Sequence, residues 1–202
     1  MKQPLIVAVG RQYGSSGRLV GAKLAERLGV EFYDKEKLMN IARNTPDYSE
    51  VKAFYEERPV NSLLYAIAMN EEPAVTSETV FRRIRALMQD HSGVLIGRCG
   101  NVIFRPDANA VSVFIHAAPE IRCQRIAQLE NISPKKAAIR MQEVDEERTE
   151  FHKYFTGEQW GQAEGYELCL DSGILGVDGC VEMILNYLRW RGLLDENEAT
   201  GK

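Results

Sequence analysis

The sequence near its N-terminus reads Leu5-Ile-Val-Ala-Val-Gly-Arg-Gln-Tyr-Gly-Ser-Ser-Gly-Arg18, and this stretch decides the fold. Its first five residues are all apolar, which is typical of a central strand in a parallel sheet. The glycines and serines that follow predict a loop. Beyond the loop, Val20, Leu24 and Leu28 recur at helical spacing, and Gly29 is placed to end that helix as a C-terminal cap. The stretch therefore predicts a strand, a glycine-rich loop and a helix in succession.

A glycine-rich loop between a strand and a helix is a candidate phosphate site for physical reasons. Glycines let several backbone amides turn toward one point, and the helix N-terminus adds unpaired donors and partial positive charge. The candidate phosphate-binding residues are Gly14, Ser15, Ser16, Gly17 and Arg18. The usual pattern, G-x-x-x-x-G-K-[ST], is matched incompletely, because Gln12, Arg18 and Leu19 replace its first glycine, its lysine and its hydroxyl residue. An arginine still binds two phosphate oxygens through its fork. The alternative interpretation is a tight turn without a ligand.

Strands and helices alternate along the rest of the chain. Four further short apolar strands are predicted at Val30–Tyr33, Val94–Ile96, Val111–Ile115 and Glu167–Leu170. A helix capped by Thr76 or Ser77 is predicted to run through about Met88. Further helices are predicted to begin at Pro119 and, with Ser133 as N-cap, at Pro134, and a last one to span Val177–Arg191. This order predicts an α/β fold with three α/β/α layers around a five-stranded parallel sheet. Ligands in such folds bind at the carboxyl ends of the strands, where Asp34 and Arg98 follow the second and third strands.

Composition limits the classes of protein that this chain can be. Its 202 residues, 45% hydrophobic and 27% charged, predict one globular domain over 1–202, with a frayed polar tail at 195–202. A net charge of −4 argues against nucleic acid as a partner. No apolar run approaches the ~18 residues that a membrane span needs. The four cysteines form no C-x-x-C pair and are expected to be reduced thiols of a cytoplasmic protein.

Several motifs in collinear order resemble the bacterial cytidylate kinase-like family. They are Arg11-Gln-Tyr-Gly-Ser-Ser-Gly-Arg18, Leu24-Ala-Glu-Arg-Leu-Gly29, Phe32-Tyr-Asp-Lys-Glu36, Leu95-Ile-Gly-Arg-Cys-Gly100, Asn131-Ile-Ser133, Val144-Asp-Glu-Glu-Arg148, Tyr154-Phe-Thr-Gly157 and Tyr166-Glu-Leu-Cys-Leu-Asp-Ser172. The resemblance covers most of the chain. It implies a P-loop kinase-like fold in which residues 35–75 form a helical acceptor-binding insertion and residues 128–161 form a lid.

The same resemblance implies roles for individual residues. Asp34 matches an acidic residue that contacts the acceptor sugar or base, and Arg98 matches an arginine that holds the acceptor phosphate. Arg122 or Arg125 matches an arginine near the donor phosphates. The remaining matches are Asp145 and Arg148, a D-x-x-R pair whose arginine clamps phosphates during transfer, and Asp171 and Ser172, which lie near the donor base.

Three functions are compatible with this reading of the sequence. The first is ATP-dependent phosphoryl transfer to a nucleoside monophosphate, with CMP or dCMP favoured by the resemblance; the expected catalytic residues are then Arg18, Arg125, Asp145 and Arg148. The second is binding of a nucleotide or phosphorylated ligand without turnover, and the third is a kinase for another small acceptor. Mg²⁺ is expected with ATP, held by Ser15 or Ser16, by water on Asp34, or by the nucleotide alone. No dedicated metal site is predicted, and a homodimer is compatible with the insertion and the last helix.

Overall fold

A computed structural model of the chain describes residues 4–43, 45, 48–55 and 77–194. The part of the predicted insertion from residue 56 onward lies outside the described residues, as does the predicted tail. No helix in the described part of the chain is long and apolar enough to cross a membrane.

Five parallel strands form the centre of the fold. They are β1 (Ile6–Arg11), β2 (Glu31–Tyr33), β3 (Gly93–Ile96), β4 (Ala110–His116) and β5 (Leu168–Asp171). Their order across the sheet is β2-β3-β1-β4-β5, and each neighbouring pair is parallel. The predicted five-stranded parallel sheet is therefore confirmed, with β1 and its loop in the middle.

Helices follow or connect these strands. Their bounds are α1 (Gly17–Leu28), α2 (Lys35–Ala42), α3 (Tyr48–Tyr55), α4 (Ser77–Met88), α5 (Gly100–Ile103), α6 (Pro119–Glu130), α7 (Pro134–Thr156) and α8 (Ser172–Trp190). The short α5 was not predicted. A helical turn that was not predicted begins at Ser172, ahead of the predicted start at Val177, and the Asp171 carboxylate caps it by accepting a hydrogen bond from the Gly173 amide at 2.7 Å. Gly176, at φ 66°, interrupts the helix just before the predicted start.

Each face of the sheet has its own apolar core. Helices α1 and α8 cover one face, where Leu24 and Ile184 pack with the strand residues Val9 and Val113. Helices α2 to α5 cover the other face and meet the C-terminal part of α7 there through Phe151. Each large apolar side chain buried in this way contributes about 1.5–3 kcal/mol. The predicted three-layer α/β/α architecture is thus confirmed, and it fixes the carboxyl ends of the strands at one edge of the molecule.

Two regions predicted to bind substrates also touch each other in the core. The Phe54 ring of α3 lies 5.1 Å from the Phe151 ring and 4.9 Å from the Phe155 ring of α7, measured between ring centroids. Both pairs pack edge to face, which is a favourable arrangement for aromatic rings. The predicted insertion and the predicted lid are therefore in direct contact.

Candidate functional site

The loop between β1 and α1 adopts a conformation that depends on glycine. Gly14 has φ of 78°, and a Cβ there would lie 2.8 Å from the carbonyl oxygen of Arg122. A Cβ at Gly17 would lie 2.4 Å from the Cβ of Arg11. Ser16 also has a positive φ, 59°, as the residue that precedes the helix. The loop is therefore a tight turn packed against α6, in which larger residues would not fit at these glycines.

The N-terminus of α1 is not capped by its own sequence. The Ser16 side chain makes no capping hydrogen bond, and the first turn of the helix contains no acidic residue. The first amides of any helix lack acceptors within the helix, and they carry partial positive charge. An anion placed at this loop would supply the missing acceptors.

Helix α7, which lies in the predicted lid, is tied to this loop through Asp145. One carboxylate oxygen of Asp145 accepts a hydrogen bond from the Tyr13 amide at 2.8 Å, and the other accepts one from Arg122 at 2.5 Å. Arg122 is 7% exposed and also donates to the Tyr13 carbonyl at 3.3 Å. Arg148 lies 3.5 Å from Asp145 and donates to the carbonyl oxygen of Arg11 at 3.0 Å. The structure thus brings Asp145, Arg148 and Arg122 together beside the loop.

A second network ties the loop to the start of α8. Ser172 is fully buried, and its hydroxyl donates to the carbonyl oxygen of Ser15 at 2.6 Å. Arg125 donates to the Ser172 hydroxyl at 3.1 Å and to the Ser172 carbonyl at 3.0 Å. Asp171 caps α8, as described above. Ser172 therefore ties the start of α8 to the loop, and Arg125 holds Ser172 in place.

Arg18 points away from the loop amides. Its guanidinium binds the Asp34 carboxylate at 2.7 Å and lies 5.4 Å from the centroid of the Phe32 ring. Asp34 also caps α2 by accepting the Lys37 amide at 3.0 Å. Burial alone would raise the pKa of Asp34, but the Lys37 amide and the Arg18 guanidinium outweigh it and lower the pKa below its ordinary value. Asp34 is thus held as a carboxylate beside the loop.

A cleft of about 440 Å³ opens beside the loop, at the carboxyl ends of β1, β2 and β3. Its lining is Arg11, Arg18, Asp34, Lys35, Glu36, Met39, Ile96, Gly97 and Arg98. The Arg98 guanidinium lies 4.2 Å from the centroid of the Phe151 ring, so α7 contacts it from one side. The cleft contains both predicted acceptor-binding residues, and its charge suits an anionic ligand.

A second cavity, of about 450 Å³, lies on the other side of the loop, beyond β4 and β5. Gln12, Phe114, His116, Gly161 and Asp171 are among its lining residues. Two separate spaces therefore flank the loop at one edge of the sheet.

Sequence reasoning missed Arg11 as a site residue. It ends β1, lines the 440 Å³ cleft and donates to the Gly97 carbonyl at 3.2 Å. Burial, followed by the nearby Arg148, Arg98 and Arg18, lowers the pKa of Arg11 to about 9. The sequence feature that could have identified Arg11 is its position: it is a charged residue at the carboxyl end of a buried central strand, directly before the glycine-rich loop.

The two serines of the loop differ as candidate magnesium ligands. Ser15 is fully buried, and its hydroxyl donates to the Gln12 carbonyl at 2.8 Å, so it does not fit a metal site. Ser16 makes no side-chain capping bond and offers its hydroxyl beside the helix N-terminus. Within the described part of the chain, no group of three or more His, Cys, Asp or Glu residues is arranged to hold a metal. This donor set fits Mg²⁺ that arrives with a nucleotide, because that ion keeps several waters and uses few protein ligands.

The parallel sheet, the loop after its central strand and the flanking clefts define the class: this is a P-loop kinase-like α/β protein. The model of the cytidylate kinase-like family matches residues 6–174. The chain therefore belongs to the cytidylate kinase-like family, as the sequence motifs predicted.

Individual relatives agree with this assignment. A cytidylate kinase of Methanopyrus kandleri is 22% identical over 176 residues, which cover 83% of this chain and 84% of that protein. The crystal structure of an uncharacterized protein from Eubacterium ventriosum has a TM-score of 0.73 at 28% identity, and the match covers 93% of this chain and 99% of that one. TT1252 from Thermus thermophilus shares the fold at a TM-score of 0.51 and 15% identity, over 96% of this chain and 100% of that one.

Proposed function

We propose that this chain transfers the terminal phosphoryl group of ATP to a nucleoside monophosphate, with CMP and dCMP as the favoured acceptors. The observation that carries the proposal is the position of the cationic 440 Å³ cleft directly beside an uncapped glycine-rich loop. Family membership and the similarity to a cytidylate kinase support a kinase-type reaction and favour the cytidine acceptor.

The two spaces beside the loop take the two substrates in this proposal. The ATP phosphates bind the amides of Gly14 to Arg18 at the start of α1, and the donor base enters the cavity that Gln12, Phe114 and Asp171 line. The acceptor enters the cleft, where Arg98 binds its phosphate and Asp34 contacts its sugar or base. Both substrates then meet at the loop.

Phosphoryl transfer depends mainly on positioning and on stabilising the charge that is spread over the transferring group. In this site Asp145 holds Arg122 and Arg148 against the loop, and Arg148 supplies charge from the lid side. Mg²⁺ neutralises charge on the donor phosphates when bound, with Ser16 as the loop hydroxyl that fits it. Lid contacts from α7 exclude water from the reacting atoms.

A second function, nucleotide binding without turnover, is favoured by one observation. The arginine that stands in the lysine position of the loop pairs with Asp34 instead of facing the loop amides. Such a protein would sense a nucleotide rather than transform it. The reduced cysteines, with Cys99 and Cys180 buried, suit a cytoplasmic setting for either function.

The test is an assay of ADP formation with ATP, Mg²⁺ and a panel of nucleoside monophosphates and other small acceptors. We expect turnover with CMP or dCMP, and a loss of at least ~100-fold in kcat/KM for Arg98→Gln, since the acceptor phosphate then lacks its partner. The matched control is Arg27→Gln, which removes an arginine paired with Glu182 between α1 and α8. ATP binding without ADP formation from any acceptor would support the second function, and no ATP binding would contradict both.

A further inference from the structure

Arg11 lies between the acceptor cleft and the lid. It lines the 440 Å³ cleft together with Arg18, Asp34 and Arg98. It also lines a small cavity of about 10 Å³ on the lid side, whose walls include Arg148, Phe151 and Trp160. No other residue of β1 reaches this position, because Arg11 is the last residue of the strand. Its guanidinium is therefore central to the edge of the sheet where both substrates are proposed to meet.

The charge on Arg11 is not neutralised by the described part of the chain. Within those residues, no carboxylate lies within ion-pair distance of its guanidinium, and its recorded partner is the neutral Gly97 carbonyl. Burial and the positive charges of Arg148, Arg98 and Arg18 all act against its protonated form, and Asp145 opposes them only in part. A partly buried cation surrounded by like charges is costly unless an anion binds beside it.

Neighbouring arginines already have carboxylate partners. Arg18 binds Asp34, and Arg122 binds Asp145, which also lies 3.5 Å from Arg148. Arg148 donates to the backbone carbonyl of Arg11 itself, so the lid is held next to this residue. Among the described residues, the arrangement leaves Arg11 beside the loop without a carboxylate at ion-pair distance.

We propose that Arg11 binds a phosphate oxygen of the donor nucleotide, at the point where the two substrates meet. Arg11 would thus take the place of the missing loop lysine. This inference rests on the proposed function and names a residue that neither the motif nor the resemblance assigned. Its planar fork can hold two phosphate oxygens, and anion binding relieves its repulsion with Arg98 and Arg148.

The test uses the full chain and inorganic pyrophosphate, a probe that carries phosphates without a base or sugar. Titration calorimetry and thermal unfolding at constant ionic strength compare wild type with Arg11→Gln, Arg11→Lys and the control Arg27→Gln. We expect pyrophosphate to bind and stabilise wild type and the control. We expect Arg11→Gln to bind at least ~10-fold more weakly, and Arg11→Lys to recover part of the loss.

The unfolding temperatures of the unliganded wild type and Arg11→Gln distinguish a phosphate ligand from a residue with a purely structural role. If Arg11 is a phosphate ligand, Arg11→Gln without ligand unfolds at the same temperature as wild type or higher, because an uncompensated cation has been removed. A lower unfolding temperature with unchanged pyrophosphate affinity would overturn the proposal, since it would show that Arg11 merely connects β1 to Gly97. Absence of pyrophosphate binding to wild type would overturn it as well.

The same samples are assayed for ADP with ATP, Mg²⁺ and acceptors. Binding of pyrophosphate that depends on Arg11, without ADP from any acceptor, would sustain this inference and contradict the proposed kinase function. Conversely, turnover by Arg11→Gln equal to that of wild type would sustain the kinase function and overturn the role of Arg11.

Discussion

His152 shows how a single buried side chain can set a pH dependence. It is 2% exposed, and neither of its ring nitrogens has a hydrogen-bond partner within the described residues. Burial lowers the pKa of His152 from its ordinary value; Glu158 acts against this shift and Arg105 adds to it. The ring is therefore held neutral in α7, beside the arginines of the site. A buried polar group without a partner costs about 1–3 kcal/mol.

The first prediction replaces this histidine. His152→Leu is expected to raise the free energy of unfolding by about 1 kcal/mol at pH 7.5. As the pH falls below about 6.5, the unfolded chain protonates its histidine while the folded state resists, so wild type loses stability that the variant keeps. Urea denaturation at pH 7.5 and pH 5.5 measures both effects, with His91→Gln on the exposed surface as control. An equal advantage of the variant at both pH values would contradict the depressed pKa.

At the scale of elements, the glycine-rich loop is held from three sides. Helix α6 contributes Arg122, helix α7 contributes Asp145, and the start of α8 contributes Ser172, whose hydroxyl holds the Ser15 carbonyl. Each of these three hydrogen bonds joins residues that lie more than a hundred positions apart in the sequence. The loop geometry therefore depends on elements that the local sequence does not contain.

The second prediction compares two glycines that share a left-handed conformation. Gly29→Ala, at φ 64° and with open space around the new methyl group, should cost about 1–2 kcal/mol. Gly14→Ala, at φ 78°, adds a clash with the Arg122 carbonyl, and should cost about 3 kcal/mol or more. Chemical denaturation measures the stability of both variants, and calorimetry with ATP measures binding. Similar losses of stability in the two variants would show that the loop shifts enough to accommodate a methyl group at position 14, which would contradict this prediction.

At the scale of the whole molecule, one aromatic cluster links α3, in the predicted insertion, to α7, in the predicted lid. Phe54 of α3 is 2% exposed and packs on Phe151 and Phe155 of α7. Phe151 also lies under the guanidinium of Arg98. Arg98, the proposed acceptor-binding arginine, is thus connected through Phe151 to both α3 and α7.

The third prediction tests this link. Phe54→Ala should lower the free energy of unfolding by about 3–5 kcal/mol, because it opens a cavity between α3 and α7. If the protein transfers phosphate, the surviving folded enzyme should also show a higher KM for the acceptor. The control is Trp190→Ala, an 83% exposed aromatic residue, for which a change within about 0.5 kcal/mol is expected. A neutral Phe54→Ala would contradict the packing described here.

Much of the fold was predictable from local patterns. The apolar runs predicted all five strands to within one or two residues at each end, since buried parallel strands are apolar on both faces. The caps Gly29 and Ser133 and the prolines at 119 and 134 predicted helix ends correctly. The early start of α8 was missed, because Asp171 acts as its cap only when the strand before it is in place. The short α5 has too few residues to show a periodic pattern.

The sequence by itself determined the parallel sheet, the position of the loop and the edge at which Asp34 and Arg98 lie, because these follow from hydrophobic spacing and chain order. Only the tertiary structure decided which partners the charged residues take. Arg18 binds Asp34, and Asp145 binds the Tyr13 amide and Arg122. Arg11 has no carboxylate partner among the residues that the structure describes. Ion pairs and hydrogen bonds form between groups that folding brings within a few ångströms, and their separation along the chain carries no information about that distance.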